Sequence, residues 1–222
     1  FLVVEWTALA ELGYAEGDLP ELSRRICERH LGVGADGLEV VFPSEAVDAH
    51  IRIFNSDASE AEISGNGTRC VAAWLIAERA IPETLRISTA AGVKSLRLLE
   101  RKGNVFEFEM GMGKPTWNED EKETELDAGG WPRAVTILNV GNPQSVLFVD
   151  AHEFDRRALG AEIERHPRFP QRTNVSFVRV LDRHTIEARF WERGASETPS
   201  SGTGSTGAAG ASLLTGKTER PV

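Results

Sequence analysis

The chain repeats itself. Residues 58–67 read Ala-Ser-Glu-Ala-Glu-Ile-Ser-Gly-Asn-Gly, and residues 195–204 read Ala-Ser-Glu-Thr-Pro-Ser-Ser-Gly-Thr-Gly. Six of the ten positions match at a constant offset of 137. Each copy follows a strand-like run ending in an aromatic residue, Ile51 to Phe54 and Ile186 to Trp191, and each precedes a small-residue or helical stretch. A weaker echo sets Ala35-Asp36-Gly37-Leu38 against Thr173-Asn174-Val175-Ser176. Two glycine turns can look alike by chance, but the recurrence of strand, loop, glycine turn and helix in that order points to duplication of a whole lobe. The 222 residues suffice for two lobes of about 100 residues each. The expected division is 1–113, with the turn at Ser64, and 114–222, with the turn at Ser201.

Short strand-like runs dominate, among them Leu38 to Phe42, Ile51 to Phe54, Val105 to Phe108, Ser145 to Val149 and Val175 to Val178, and several of them alternate apolar and polar residues. Such alternation predicts half-buried antiparallel strands. Helical spacing predicts helices over Leu19 to His30, Thr68 to Arg79 and Asp155 to Arg165. Lys114 to Gly130 is acidic and aperiodic and reads as a connection between lobes. Cys70 is expected in the core beside Trp74, and Cys27 in the core on its own helix.

A glycine turn that opens a helix presents backbone N–H groups that the helix itself does not use, and the helix dipole adds partial positive charge there. Such an end holds a carboxylate or phosphate well. Two of them facing one another would clamp an anion and place two side chains, Ser64 and Ser201, on opposite faces of a substrate carbon. That arrangement suits racemisation without a cofactor: one group removes the proton α to a carboxylate, the other returns one, and the N–H groups stabilise the carbanion-like transition state. The alternative is that both turns are purely structural.

Composition narrows the field. The net charge of −9 argues against nucleic-acid and anionic-membrane surfaces. No apolar run approaches the ~18 residues that span a bilayer, and no signal-peptide pattern opens the sequence. Two cysteines are too few for a disulfide scaffold and fit a reducing cytoplasm. The five histidines are scattered without ligand spacing, so no metal is expected. No phosphate-loop or dinucleotide fingerprint follows a parallel βαβ pattern, and nothing suggests pyridoxal phosphate. Both ends look incomplete: Phe1 opens straight into a strand-like run, and Glu219 to Val222 stop without a terminal element.

The stretches Phe54 to Cys70 and Trp191 to Gly204 resemble the two active-site motifs of diaminopimelate epimerases. Between them, Gly141-Asn142-Pro143-Gln144 resembles the family's Gly-Asn-Pro-His, and Arg172-Thr173-Asn174-Val175 its Arg-x-Asn-Ile/Val. His30 to Gly37 matches a further segment, so the resemblance covers nearly the whole chain in order. It implies an α+β fold of two pseudo-symmetric lobes, each a mainly antiparallel sheet wrapped around a central helix. It implies substrate contacts at Asn55, Asn142, Asn174, Glu192 and Arg193, and a backbone cradle for the α-carboxylate at Gly65, Asn66, Gly202 and Thr203. The implied ligand is a small amino acid, with no cofactor, and the resemblance suggests a homodimer.

The sequence departs from the family at the proton-handling positions. The catalytic pair is cysteine in the family and serine here, Ser64 and Ser201, and the histidine after Asn-Pro is Gln144. A serine hydroxyl is far less acidic than a thiol and needs a base to take its proton. The leading expectation is an epimerase of the diaminopimelate type, converting the LL to the meso isomer in the lysine and peptidoglycan precursor route. The alternatives are a same-fold isomerase on another substrate, resembling phenazine-biosynthesis-type isomerases, and a non-catalytic amino-acid-binding protein. Asp57, Glu62 and Glu197 are the carboxylates considered as replacement acid or base.

Overall fold

The computed structural model describes residues 1–79 and 83–222, which divide into the units Phe1–Met112 and Gly113–Val222. Alternation along the first unit's strands decides which helix each face receives. The strands are β1 (Leu2–Glu5), β2 (Gly37–Phe42), β3 (Ala49–Asn55), β4 (Glu60–Ala61), β5 (Thr84–Thr89), β6 (Gly92–Lys102) and β7 (Val105–Met110). They lie in the order β1-β2-β3-β5-β6-β7, with the short β4 also on β3. On one face Val41, Ile51, Ile53 and Ile87 pack against Val71, Ala72 and Leu75 of α3 (Gly65–Arg79). On the other, Leu38, Val40 and Phe54 meet Leu9 of α1 (Trp6–Glu11) and Leu19 of α2 (Leu19–Ile26), beside Cys27. Each wholly buried Val, Leu, Ile or Phe contributes about 1.5–3 kcal/mol relative to exposure.

The second unit has β8 (Lys122–Ala128), β9 (Trp131–Asn139), β10 (Pro143–Phe148), β11 (Asn174–Asp182), β12 (Thr185–Glu192) and β13 (Ser196–Thr198), in the order β13-β12-β11-β10-β9-β8. Its sheet is likewise covered on both faces. Val146 and Val178 pack on Ala208 and Ala211 of α5 (Gly202–Leu214), while Leu147, Val175 and Phe177 pack on Leu159 and Ile163 of α4 (Arg156–Glu164). Asp155 caps α4, its side chain accepting from the Ala158 N–H at 3.0 Å.

The duplication read from ten residues extends through both units. In each, a parallel strand pair (β1 with β2, β10 with β11) is followed by an antiparallel strand, a two- to three-residue strand and a helix opened by the serine turn. β2 and β11 begin at Gly37 and Asn174, and α3 and α5 at Gly65 and Gly202, all 137 residues apart. The echo around Gly37, aligned above at an offset of 138, therefore shifts by one residue.

The α+β class with mainly antiparallel sheets is as expected, but three local readings are corrected. The helix expected to reach His30 ends at Ile26. The supposed connection from Lys114 to Gly130 contains β8, paired antiparallel with β9. Only Leu126 and Ala128 of that strand are buried; its charged residues face water, as on a protected sheet edge, and so hide the strand period. Cys70 is exposed, not in the core. The buried stripe of α3 includes Thr68, Val71, Ala72 and Leu75, and Cys70, two residues past Thr68 on a 3.6-residue helix, comes out on the opposite side.

Candidate active site

The two serine turns are built alike, and each is described within its own unit. Ser64 and Ser201 stand immediately before α3 and α5 and cap them. The Ser64 hydroxyl accepts from the Gly67 N–H at 3.1 Å, and the Ser201 hydroxyl from the Gly204 N–H at 2.9 Å. The next backbone bonds are also matched, Thr68 N–H to Ser64 O and Ser205 N–H to Ser201 O, both 2.9 Å. The remaining early N–H groups of each helix, the electropositive end, belong to Gly65 and Asn66 and to Gly202 and Thr203. Glycine is required at the third helical position by close approach. A Cβ on Gly67 would overlap the Glu39 carboxyl, and one on Gly204 would lie 2.6 Å from the Phe190 ring. Each segment before the turn also holds a non-glycine residue in the left-handed region, Ala58 (φ 72°) and, at the start of β13, Ser196 (φ 64°), the kind of backbone strain that gathers at functional sites.

The pseudo-symmetry breaks at the hydroxyls. Ser201 donates to Glu192, whose carboxylate lies on the last residue of β12. With the Gly204 N–H on one side and the carboxylate on the other, Oγ is fixed as acceptor and donor, and Thr203 Oγ1 stands 3.4 Å away. The residue 137 positions before Glu192 is Asn55, and its amide donates to Ser59 Oγ at 3.0 Å. The carboxylate at Ser201 is thus none of the three considered from sequence. Glu197 is taken by Arg157 at 2.8 Å and Arg156 at 3.4 Å, and the Arg157 guanidinium holds its carboxyl below the usual range. Asp57 receives the Ser59 N–H at 3.0 Å. The Glu62 backbone carbonyl receives the Ala91 N–H at 3.0 Å. Sequence proximity favoured these residues, whereas the turn between β12 and β13 returns Glu192 to the helix cap.

In the second unit the remaining candidates converge on one end of the sheet. Gln144 on β10 pairs with Asn174 on β11, and Val175 with Trp191 on β12, which puts Asn174 and Glu192 in neighbouring positions. Asn174 accepts the Arg193 N–H at 3.0 Å and donates to Pro143 O at 2.9 Å, so it ties three strand ends together. Gln144 is fully buried, donates to Asn142 Oδ1 at 2.7 Å, and packs where a side chain on Gly207 of α5 would be. The Arg193 guanidinium reaches Gln171 O at 3.1 Å. In the first unit, Asn66 Oδ1 receives Arg69 at 2.6 Å.

One supporting residue escaped the sequence reading. Glu164, on the last turn of α4 and nearly wholly buried, accepts from Trp191 Nε1 at 2.7 Å, from Arg172 at 3.2 Å and from the Gly194 N–H at 3.3 Å. It therefore brackets Glu192 and Arg193 from both sides. Its backbone carbonyl also receives the Thr173 N–H at 3.2 Å, next to Asn174. A lone Glu ending an amphipathic helix carries no signal of this role in sequence.

The sequence matches the family profile described as diaminopimelate epimerase over residues 4–118 and 136–222. The chain belongs to the diaminopimelate epimerase family. The diaminopimelate epimerase of Pelotomaculum thermopropionicum is 42% identical over 217 residues, covering 92% of this chain and 78% of that protein. That of Moorella thermoacetica is 40% identical over 218 residues, covering 93% and 78%. Family membership makes the chain an isomerase by descent. The fold is shared with a crystal structure of a hydroxyproline epimerase from Agrobacterium vitis (TM-score 0.69, 16% identity, 90% of this chain and 66% of that one). It is shared too with the "Predicted Epimerase" of Pseudomonas aeruginosa (TM-score 0.63, 18% identity, 96% and 73%). Among the described residues no helix is long and apolar enough to cross a membrane.

Proposed function

We propose that this member of the family is a cofactor-independent epimerase acting on LL-diaminopimelate or a close amino-acid analogue in the cytoplasm, with Ser201 and Ser64 handling protons. The observation that carries the reading is the Ser201–Glu192 hydrogen bond on a helix-capping turn. A lone serine is too weakly acidic to replace a thiol, but one that donates to a carboxylate has a place to send its proton. As the substrate Cα–H bond breaks, its proton forms a new O–H bond at Ser201 Oγ while the original hydroxyl proton passes to Glu192. The electron pair left on the α-carbon delocalises into the substrate carboxylate. Helix-terminal N–H groups at Gly65 and Asn66 and at Gly202 and Thr203 are the proposed partners of that charge. Ser64 gives its hydroxyl proton to the opposite face, the electron pair on carbon forming the new C–H bond, and solvent then returns a proton to Ser64 Oγ and takes from Glu192 the one it received. Asn55, Asn142, Asn174, Glu192 and Arg193 are the proposed contacts for the rest of the amino acid.

The test is incubation with LL-diaminopimelate in D₂O, following deuterium at the α-carbon and the appearance of the meso isomer. Exchange with inversion is expected, falling about 10²-fold or more in Ser201→Ala and in Glu192→Gln. Neither exchange nor inversion in the unaltered protein would end the epimerase reading. Calorimetric binding without exchange would instead favour an amino-acid-binding protein.

A further inference from the structure

Glu39 is the least expected side chain in the molecule. It lies in the middle of β2 with no exposed surface, and neither carboxyl oxygen has a hydrogen-bond partner among the described residues. Its strand neighbours on the same face are Val3 and Ile53, both apolar. Its oxygen rests against Gly67, the third residue of α3, within the turn that Ser64 caps. A wholly buried carboxylate without hydrogen bonds or a counter-ion is costly enough that the group takes up a proton instead. The repeat marks the same spot: 137 residues on is Ser176, also buried, also without a hydrogen bond for its hydroxyl, on the strand face that packs on α5.

We propose that Glu39 is a positioning residue of the first half-site: held as the neutral acid beneath the opening turn of α3, it leaves that turn positively polarised for a substrate carboxylate, and its ionisation expels the anion. This rests on the functional reading above, because it takes the turn at Gly65 and Asn66 as the carboxylate cradle. A neutral group under a helix N-terminus leaves the dipole intact. A negative charge placed there cancels it and repels a second anion across a few ångströms of low-dielectric interior. Burial pushes the Glu39 carboxyl up to about 8, so the change falls just above neutrality. The other titratable side chain whose field reaches it is Cys70 on α3.

The experiment is calorimetric titration of the full chain with LL-diaminopimelate at about pH 6 and about pH 9, for the unaltered protein and for Glu39→Gln, which keeps shape and neutrality. The unaltered protein is expected to bind about tenfold more weakly at the higher pH, and Glu39→Gln to change by less than about twofold. The comparison cancels titration of the ligand's own amines. Equal losses in both proteins, or none in either, would overturn the proposal while leaving the epimerase reading intact. Absence of binding by either protein at both pH values would overturn the site reading and this proposal with it. A second measurement does not depend on the variant folding or on any ligand. In a carboxyl-labelled NMR titration of the unaltered protein, one glutamate should titrate near 8. Titration of every glutamate in the ordinary range would overturn the proposal.

Discussion

Two glutamates of this chain show how far environment decides what a carboxyl group does. Glu192 receives a serine hydroxyl at a helix cap, and Glu39 lies dry beneath another. The second has a consequence for stability that needs no substrate. Its value in the fold, about 8, is raised above the 4.5 of an unperturbed glutamate. The unfolded chain therefore loses this proton near 4.5 while the native one keeps it. Stability from this residue is fully present below 4.5 and is lost as pH climbs through about 8. Glu39→Gln should remove that loss, so its advantage over the unaltered protein grows from near zero at about pH 4 to roughly a few kcal/mol at about pH 9. Urea unfolding across this range measures it, and parallel stability curves for the two proteins would refute the assignment of a neutral Glu39.

At the scale of elements, the corner between β12 and β13 is tied to the helix behind it. Glu164 closes α4 and takes donors from Trp191 and Gly194, on either side of Glu192 and Arg193, and from Arg172 before β11. Glu164→Ala would leave the Trp191 indole N–H and the Gly194 N–H without this acceptor and remove the Glu164 ion pair from Arg172. It is expected to cost about 2–4 kcal/mol by thermal or urea unfolding. Glu164→Gln, which keeps an acceptor, should recover about half of that. A Glu164→Ala protein as stable as the parent would show that the corner holds itself. The same logic explains β8, where an edge strand needs only Leu126 and Ala128 inward and spends its other positions on solvent.

At the scale of the whole molecule, duplication gives two copies of one capped turn with different side-chain partners. Each copy has a capped helix, a glycine at the third helical position and a nearby residue with positive φ, and among the described residues the second has a carboxylate on its serine. If the clefts of the family and of this chain differ only in their proton-handling groups, Ser64→Cys combined with Ser201→Cys should raise α-proton exchange on LL-diaminopimelate by about tenfold or more, because a thiol at a helix N-terminus ionises far more readily than a hydroxyl. A folded double variant with unchanged exchange would place the difference elsewhere. The sequence alone determined the repeat, the α+β class, the family motifs and the loss of both cysteines, because these reside in spacing and residue identity along the chain. It could not reveal that Ser201 reaches Glu192 and not Glu197, that Glu39 is buried without a partner, that Glu164 supports the corner, or that Cys70 faces outward. Those depend on which strand end returns to which helix and on which side of α3 a residue emerges, and such neighbours are made by packing between segments that sequence separation does not relate.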